Sequence, residues 1–164
     1  MAMAEDHTSL ATIYKGWDVY QQHLVQAIAP LSLEQLALHA APHLRSVGMI
    51  AAHIVSARVG WFHMVMGEGS TDLAPLAIWQ RANEAVRSAS ELVNGLERSW
   101  QMMQDALARW STADLEYIFQ GTWQGQEYSF SRQWIIWHVI EHDLHHGGEL
   151  SFSLGMHNIA AIDI

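Results

Sequence analysis

The sequence predicts an all-α protein, a four-helix bundle in a single domain spanning residues 1–164. Three observations lead there. Four long segments repeat apolar residues at three- and four-residue spacing, the period of a helix with one buried face. No segment alternates convincingly enough to assign a sheet. Half of the 164 residues are apolar and only 15% are charged, a composition that can bury one sizeable core and does not fit a disordered chain.

The first segment runs from about Thr8 to Ile28, with Leu10, Ile13, Trp17, Tyr20, Leu24 and Ile28 on one face. Pro30 ends it, and Ser32-Leu-Glu-Gln35 has the spacing of a capping box for a short helical turn. The second starts at Ser46 as N-cap and continues to about Met66, its inward stripe being Ile50, His53, Ile54, Ala57 and Trp61. Gly67-Glu-Gly-Ser70 is a turn. After a loop or short helix at Ala74 to Ile78, the third segment extends from Trp79 to about Trp110. It buries Val86, Leu92, Val93, Leu96, Trp100, Met103 and Leu107, and turns Glu84, Arg87, Glu91 and Arg98 to water. Residues 111–131 are mixed, with Gly121-Thr-Trp-Gln-Gly125 reading as loop or short hairpin. The fourth segment begins near Ser129 or Ser131 and runs through Trp134, Ile135, His138, His142 and His146 to about Leu154, where Gly155 stops it. Four such helices and no firm sheet give the bundle.

The formal net charge is -9, with Lys15 the single lysine and seven scattered arginines. An acidic chain without a basic cluster argues against nucleic acid or an anionic membrane as partner. Cysteine is absent, so thiolate metal sites, disulfides and a cysteine nucleophile are excluded, and any metal site must use nitrogen and oxygen donors. Residues 1–6 lack a basic segment followed by an apolar stretch, so no signal peptide is expected. The most membrane-like stretch, Val47 to Met66, is broken by His53, Arg58 and His63 and reads as a core helix. The expected location is cytoplasmic.

Eleven histidines need an explanation, because neutral imidazole is both a common metal ligand and a base near neutral pH. His138, His142 and His146 recur every fourth residue, and each step turns about 40° beyond a full turn, so the three form a slowly rotating stripe. The outer two lie about 12 Å apart along the axis. One ion can therefore take two of the three, with a third ligand from a facing helix. His53, in the middle of the second helix's inward stripe, is the candidate lender. Glu141, Glu149 or a backbone carbonyl would satisfy the second ring nitrogens. The plain alternative makes these histidines hydrogen-bonded core residues. His138-Val-Ile-Glu-His142 also matches H-x-x-E-H, a zinc-peptidase pattern, but only Glu149 follows it as a downstream acid. Arg58 and Trp61 lie one and two turns beyond His53 and are candidates to line a pocket; Arg58 would bind an acidic substrate or pair with a surface carboxylate. Trp61, Trp134 and Trp137 are assigned to core or dimer packing. His7, His23, His39, His43, His63 and His157 read as surface or loop residues.

The stretch His138-Val-Ile-Glu-His-Asp-Leu-His-His-Gly-Gly-Glu-Leu150 resembles the signature of the DinB-like (YfiT-like) metal-dependent enzymes. That signature has a histidine, a second one four residues on within a His-His pair, then glycine and an amide or acidic residue. The matching positions are His142, the His145-His146 pair and Gly148-Glu149. His53, in Ser46-Val-Gly-Met-Ile-Ala-Ala-His-Ile-Val-Ser-Ala-Arg58, is similar to the family's second-helix ligand. The resemblance extends from the Trp17–Tyr20 region to Gly155. It implies a DinB/YfiT-like four-helix bundle, one divalent metal ion (zinc or nickel) on His53, His142 and His146, and often a homodimer. Members with known activity transfer a low-molecular-weight thiol, such as bacillithiol or mycothiol, to an electrophile. Gly147 departs from the pattern, standing where many members carry a basic residue.

These readings lead to a metal-dependent enzyme acting on a small-molecule substrate. As a thiol transferase it would bind the thiol as thiolate; as a hydrolase it would activate water. Glu141, Glu149 and His138 are candidates for base or supporting partner. A different class, a non-catalytic metal- or ligand-binding stress-response module, would close every coordination position with protein.

Overall fold

A computed structural model describes residues 9–81 and 86–163. The first predicted helix is split by Tyr14 into α1, Leu10–Ile13, and α2, Lys15–Ile28; its expected start at Thr8 lies outside the described residues. Ile13 is 53% exposed and so falls off the buried face assigned to it. The Ser32 capping box forms and opens α3, Leu33–Leu36.

The second long helix is α4, Val47–Val59, with the Ser46 hydroxyl accepting from the Met49 N–H as expected. It continues as a π-helical turn, Gly60–Val65, so the predicted span to Met66 holds as one continuous helix. α4 is apolar around most of its circumference because it is covered from several sides. It packs against α5 (Ala89–Arg109), against α6 (Arg132–Gly155) and against a 3₁₀ segment, Thr71–Ile78. α2 packs on α5. Buried side chains from all these helices join in one cluster that includes Leu24, Ile54, Leu96, Met103, Ile135 and Leu150.

Two expectations are corrected. The third long helix does not begin at Trp79. Its N-cap is Ser88, whose side chain and Glu91 form a reciprocal capping box, so α5 begins ten residues late. Val86, placed on the apolar face by the sequence, is 78% exposed ahead of that cap; Glu84 lies outside the described residues. The all-α expectation also gives way to a small antiparallel sheet. β1, Ile118–Trp123, pairs with β2, Gln126–Ser131, from Ile118 opposite Ser131 to Trp123 opposite Gln126. The two-residue turn places Gln124 at φ 50° and Gly125 at φ 79°, the left-handed pair whose twist matches a tight hairpin. β2 leads directly into α6, capped by Ser131.

A buried polar knot ties α2, α4 and α6 together. Arg58 and Asp143 are both fully buried, and the guanidinium donates from Nη2 to Asp143 Oδ2 at 2.7 Å and from Nε to both carboxylate oxygens. Trp17 Nε1 donates to the same Oδ2 at 2.8 Å, and Arg58 Nη1 donates to Gln21 Oε1 at 2.6 Å. Arg58 therefore meets neither a substrate nor a surface carboxylate. Its inward direction follows from α4 being covered on several sides, so that a residue one turn past His53 still points into the core.

Candidate metal centre

α4 and α6 pack side by side, which brings His53 opposite the His142–His146 turn. The three residues each offer a ring nitrogen, and these nitrogens all lie within 4.8 Å of one another. His53 Nε2 is 3.0 Å from His142 Nε2. The rings of His142 and His146 have centroids 4.3 Å apart, and His53 is 4.5 Å from His146. The outer member of the stripe, His138, stays outside this group. It stacks flat on Trp134 at 4.9 Å and against the edge of Trp61 at 5.0 Å. The peptidase pattern needs His138 and His142 together on one ion, and this arrangement does not supply that.

The second ring nitrogens decide which atoms face inward. His53 Nδ1 donates to Gln80 Oε1 at 2.5 Å, and His146 Nδ1 donates to Glu149 Oε2 at 2.6 Å. With Nδ1 protonated, each neutral ring presents a bare Nε2 lone pair, the form a metal requires. Two lone pairs at 3.0 Å repel, so a proton or a cation must lie between His53 and His142. Nitrogens about 2.0–2.1 Å from one zinc at a tetrahedral angle stand about 3.4 Å apart, close to the spacing seen. The donor set thus fits a divalent ion of the imidazole-preferring kind. His142 Nδ1 is buried without a hydrogen-bond partner among the described residues.

Of the supporting partners expected from sequence, Glu149 takes its role and Glu141 does not, lying exposed at 4.0 Å from His138. Gln80 was missed. It is placed by Ser56, one turn along α4 from His53, whose hydroxyl donates to Leu76 O and accepts from the Gln80 N–H at 3.0 Å. His145 is largely exposed, 3.4 Å from Glu149. Together with His146 and Glu149 it forms a second, overlapping group of possible ligands. His7 lies outside the described residues. Of the other histidines, His63 and His39 bond loop carbonyls and His157 bonds His39 O.

Trp137 is 61% exposed and Trp134 39% exposed, which removes Trp137 from the core. Trp61 is half-buried against the core, as expected, and sits among Phe130, Trp134 and His138. Gly147 has a steric reason. A Cβ there would lie 1.9 Å from Tyr20 Oη, so the phenol of α2 occupies the space a side chain would need. No basic group reaches the histidines from this position. The phenol stays protonated, its pKa raised by burial and by the Asp143 carboxylate.

Burial, aided by the charges of Arg45 and His146, pushes the His53 pKa down to about 4. His142 falls to about 3, again chiefly through burial, with its neighbouring imidazoles adding to the shift. Burial also holds His146 below its ordinary value against the raising effect of Glu149. The trio is thus neutral at pH 7 and open to a cation. In the unfolded chain these groups protonate near pH 6.5. The stability they contribute is therefore complete above that pH and is lost as the pH falls toward the folded values. Chelator-treated protein is expected to show a declining denaturation midpoint from about pH 7 to pH 5, with a shallower decline in His53→Ala/His142→Ala. Equal slopes would contradict the neutral, buried trio.

The sequence model of the DinB family matches residues 3–155. Among solved structures, the chain is similar to the crystal structure of a DinB-like protein from Bacillus cereus ATCC 10987. The match has a TM-score of 0.73 at 18% identity and covers 96% of this chain and 99% of that one. No curated protein matches the chain.

Proposed function

The chain belongs to the DinB family, and from that premise we propose that it is a metal-dependent enzyme whose divalent ion is held by His53, His142 and His146. Its four long helices are read as that family's four-helix bundle. The carrying observation is the approach of three ring nitrogens, from α4 and α6, to within 4.8 Å of one another.

When bound, a zinc or nickel ion supplies Lewis acidity that favours the deprotonated form of a thiol or water. Transfer of a low-molecular-weight thiol to an electrophile is the favoured reaction; the absence of cysteine agrees with it, the sulfur nucleophile then arriving with the cosubstrate. Gln80 and Glu149 hold His53 and His146 in the Nε2-facing tautomer. Trp61 and Trp134 pack on the ring of His138. Burial keeps His138 neutral at pH 7, and we assign it to accept the thiol proton.

The same reading makes the protein a cytoplasmic homodimer. Among the described residues no helix is long and apolar enough to cross a membrane. Trp137 and Leu144, two turns apart on α6, are 61% and 49% exposed and supply apolar surface for a second copy. The test is turnover of 1-chloro-2,4-dinitrobenzene with bacillithiol, mycothiol or glutathione, with zinc, with nickel and after chelation. Metal-dependent conjugation that is absent in His142→Ala is the expected result. Metal-dependent ester cleavage without thiol transfer would replace this reading with a hydrolase. Bound metal with neither activity would favour the binding module.

A further inference from the structure

Adjoining the trio is a cavity of about 300 Å³ to which His53 and Gln80 both contribute. Its charge is unlike that of the rest of the molecule. The chain carries 17 acidic residues against 8 basic ones, yet Arg45, Arg81 and Arg87 line this cavity and no aspartate or glutamate does so among the described residues. The remaining four arginines are engaged elsewhere. Arg58 holds Asp143, Arg98 holds Asp72, Arg109 holds Glu68, and Arg132 donates to Asp114 O. The guanidinium groups of Arg45 and Arg81 have no ion-pair or hydrogen-bond partner among the described residues. Arg87 stacks on Trp79 at 4.3 Å.

Arg45 and Arg81 meet no paired carboxylate within 4 Å among the described residues, and the planar guanidinium fork matches carboxylate and phosphate oxygens. The first turn of α4, through Ser46 and Gly48, forms part of the wall, adding the positive end of a helix dipole. Leu36, Met49 and Trp79 give the cavity an apolar side. We propose that this cavity binds a small organic anion, a carboxylate or phosphate on an apolar body, anchored by Arg45 and Arg81. The charge of Arg45 also acts on His53, His142, His146 and Glu149, which places the anchor beside the metal centre. Gln80 is shared by both sites. The binding site stands on the cavity alone; that its ligand is the substrate rests on the metal-dependent reading above.

The test is isothermal titration of chelator-treated protein with phenyl phosphate, benzoate and benzyl alcohol. It uses wild type, Arg45→Gln/Arg81→Gln and His142→Ala. At least one anion should bind wild type about tenfold or more tighter than benzyl alcohol, and the double variant should lose about tenfold or more of that affinity. His142→Ala should bind as wild type does. The tighter anion identifies the head group. Both arginines are exposed, so an unchanged melting midpoint in the double variant separates lost binding from lost folding. Any of these results would overturn the site: no anion binding, equal binding of benzyl alcohol, or undiminished binding in the double variant. Loss of binding in His142→Ala alone would place the anion on the histidines and also defeat it. Absence of metal from wild type would defeat the metal reading while leaving this titration unaffected.

Discussion

Asp143→Ala is expected to destabilise the protein by about 3–5 kcal/mol, a large part of a typical 5–15 kcal/mol margin. The substitution leaves Arg58, fully buried in α4, with its charge uncompensated. It also strips the acceptor from Trp17 Nε1. Breaking a buried pair is costly because the surviving charge has no water to turn to. Replacing both partners with apolar residues, as in Arg58→Met/Asp143→Leu, should cost much less, since no ion then remains buried. Denaturant titration of the single and double variants distinguishes the two cases. If Asp143→Ala were as stable as wild type, the knot would hold nothing together. Asp143 follows His142 directly, so the knot also fixes the turn of α6 from which two of the proposed ligands project.

Zinc is expected to raise the melting midpoint of wild type and leave His142→Ala almost unmoved. A ligand at about 100 times its dissociation constant adds about 2.7 kcal/mol to the folded state. For a chain of this size that corresponds to a rise of roughly 5–10 °C. His142 is central to the effect because its Nε2 stands 3.0 Å from that of His53, and its ring lies 4.3 Å from that of His146. Removing it leaves two imidazoles on separate helices. Gln80→Ala should weaken zinc about 10–100-fold through loss of the bond that orients His53. A zinc shift that persisted in His142→Ala would assign the metal to other residues, the His145, His146 and Glu149 group among them.

The helices were legible where their ends carry chemistry. Ser46 and Ser131 act as the caps their positions suggest. The Ser88-x-x-Glu91 box was equally present in the sequence, but apolar residues reaching back to Trp79 extended the helical period past it. The hairpin was obscured because its turn puts glutamine rather than asparagine or aspartate at a positive φ, so the usual turn signal is missing. The four-residue spacing put His138, His142 and His146 on one stripe and limited one ion to two of them, a period that survives folding unchanged on one helix; the choice of His142 and His146 came from the family resemblance. Gln80 left no such trace. It is 27 residues from His53 and sits in an irregular segment held by Ser56. The Arg58–Asp143 pair spans 85 residues, and its partnership depends entirely on how α4 and α6 cross.

The most direct test of the central claim is elemental analysis of purified, untagged protein beside His53→Ala, His142→Ala and His146→Ala, each checked for folding by circular dichroism. The expected result is about one zinc or nickel ion per wild-type chain and substoichiometric metal in all three folded variants. Wild type that takes up no metal after incubation with either ion, or three variants that retain a full equivalent, would contradict it.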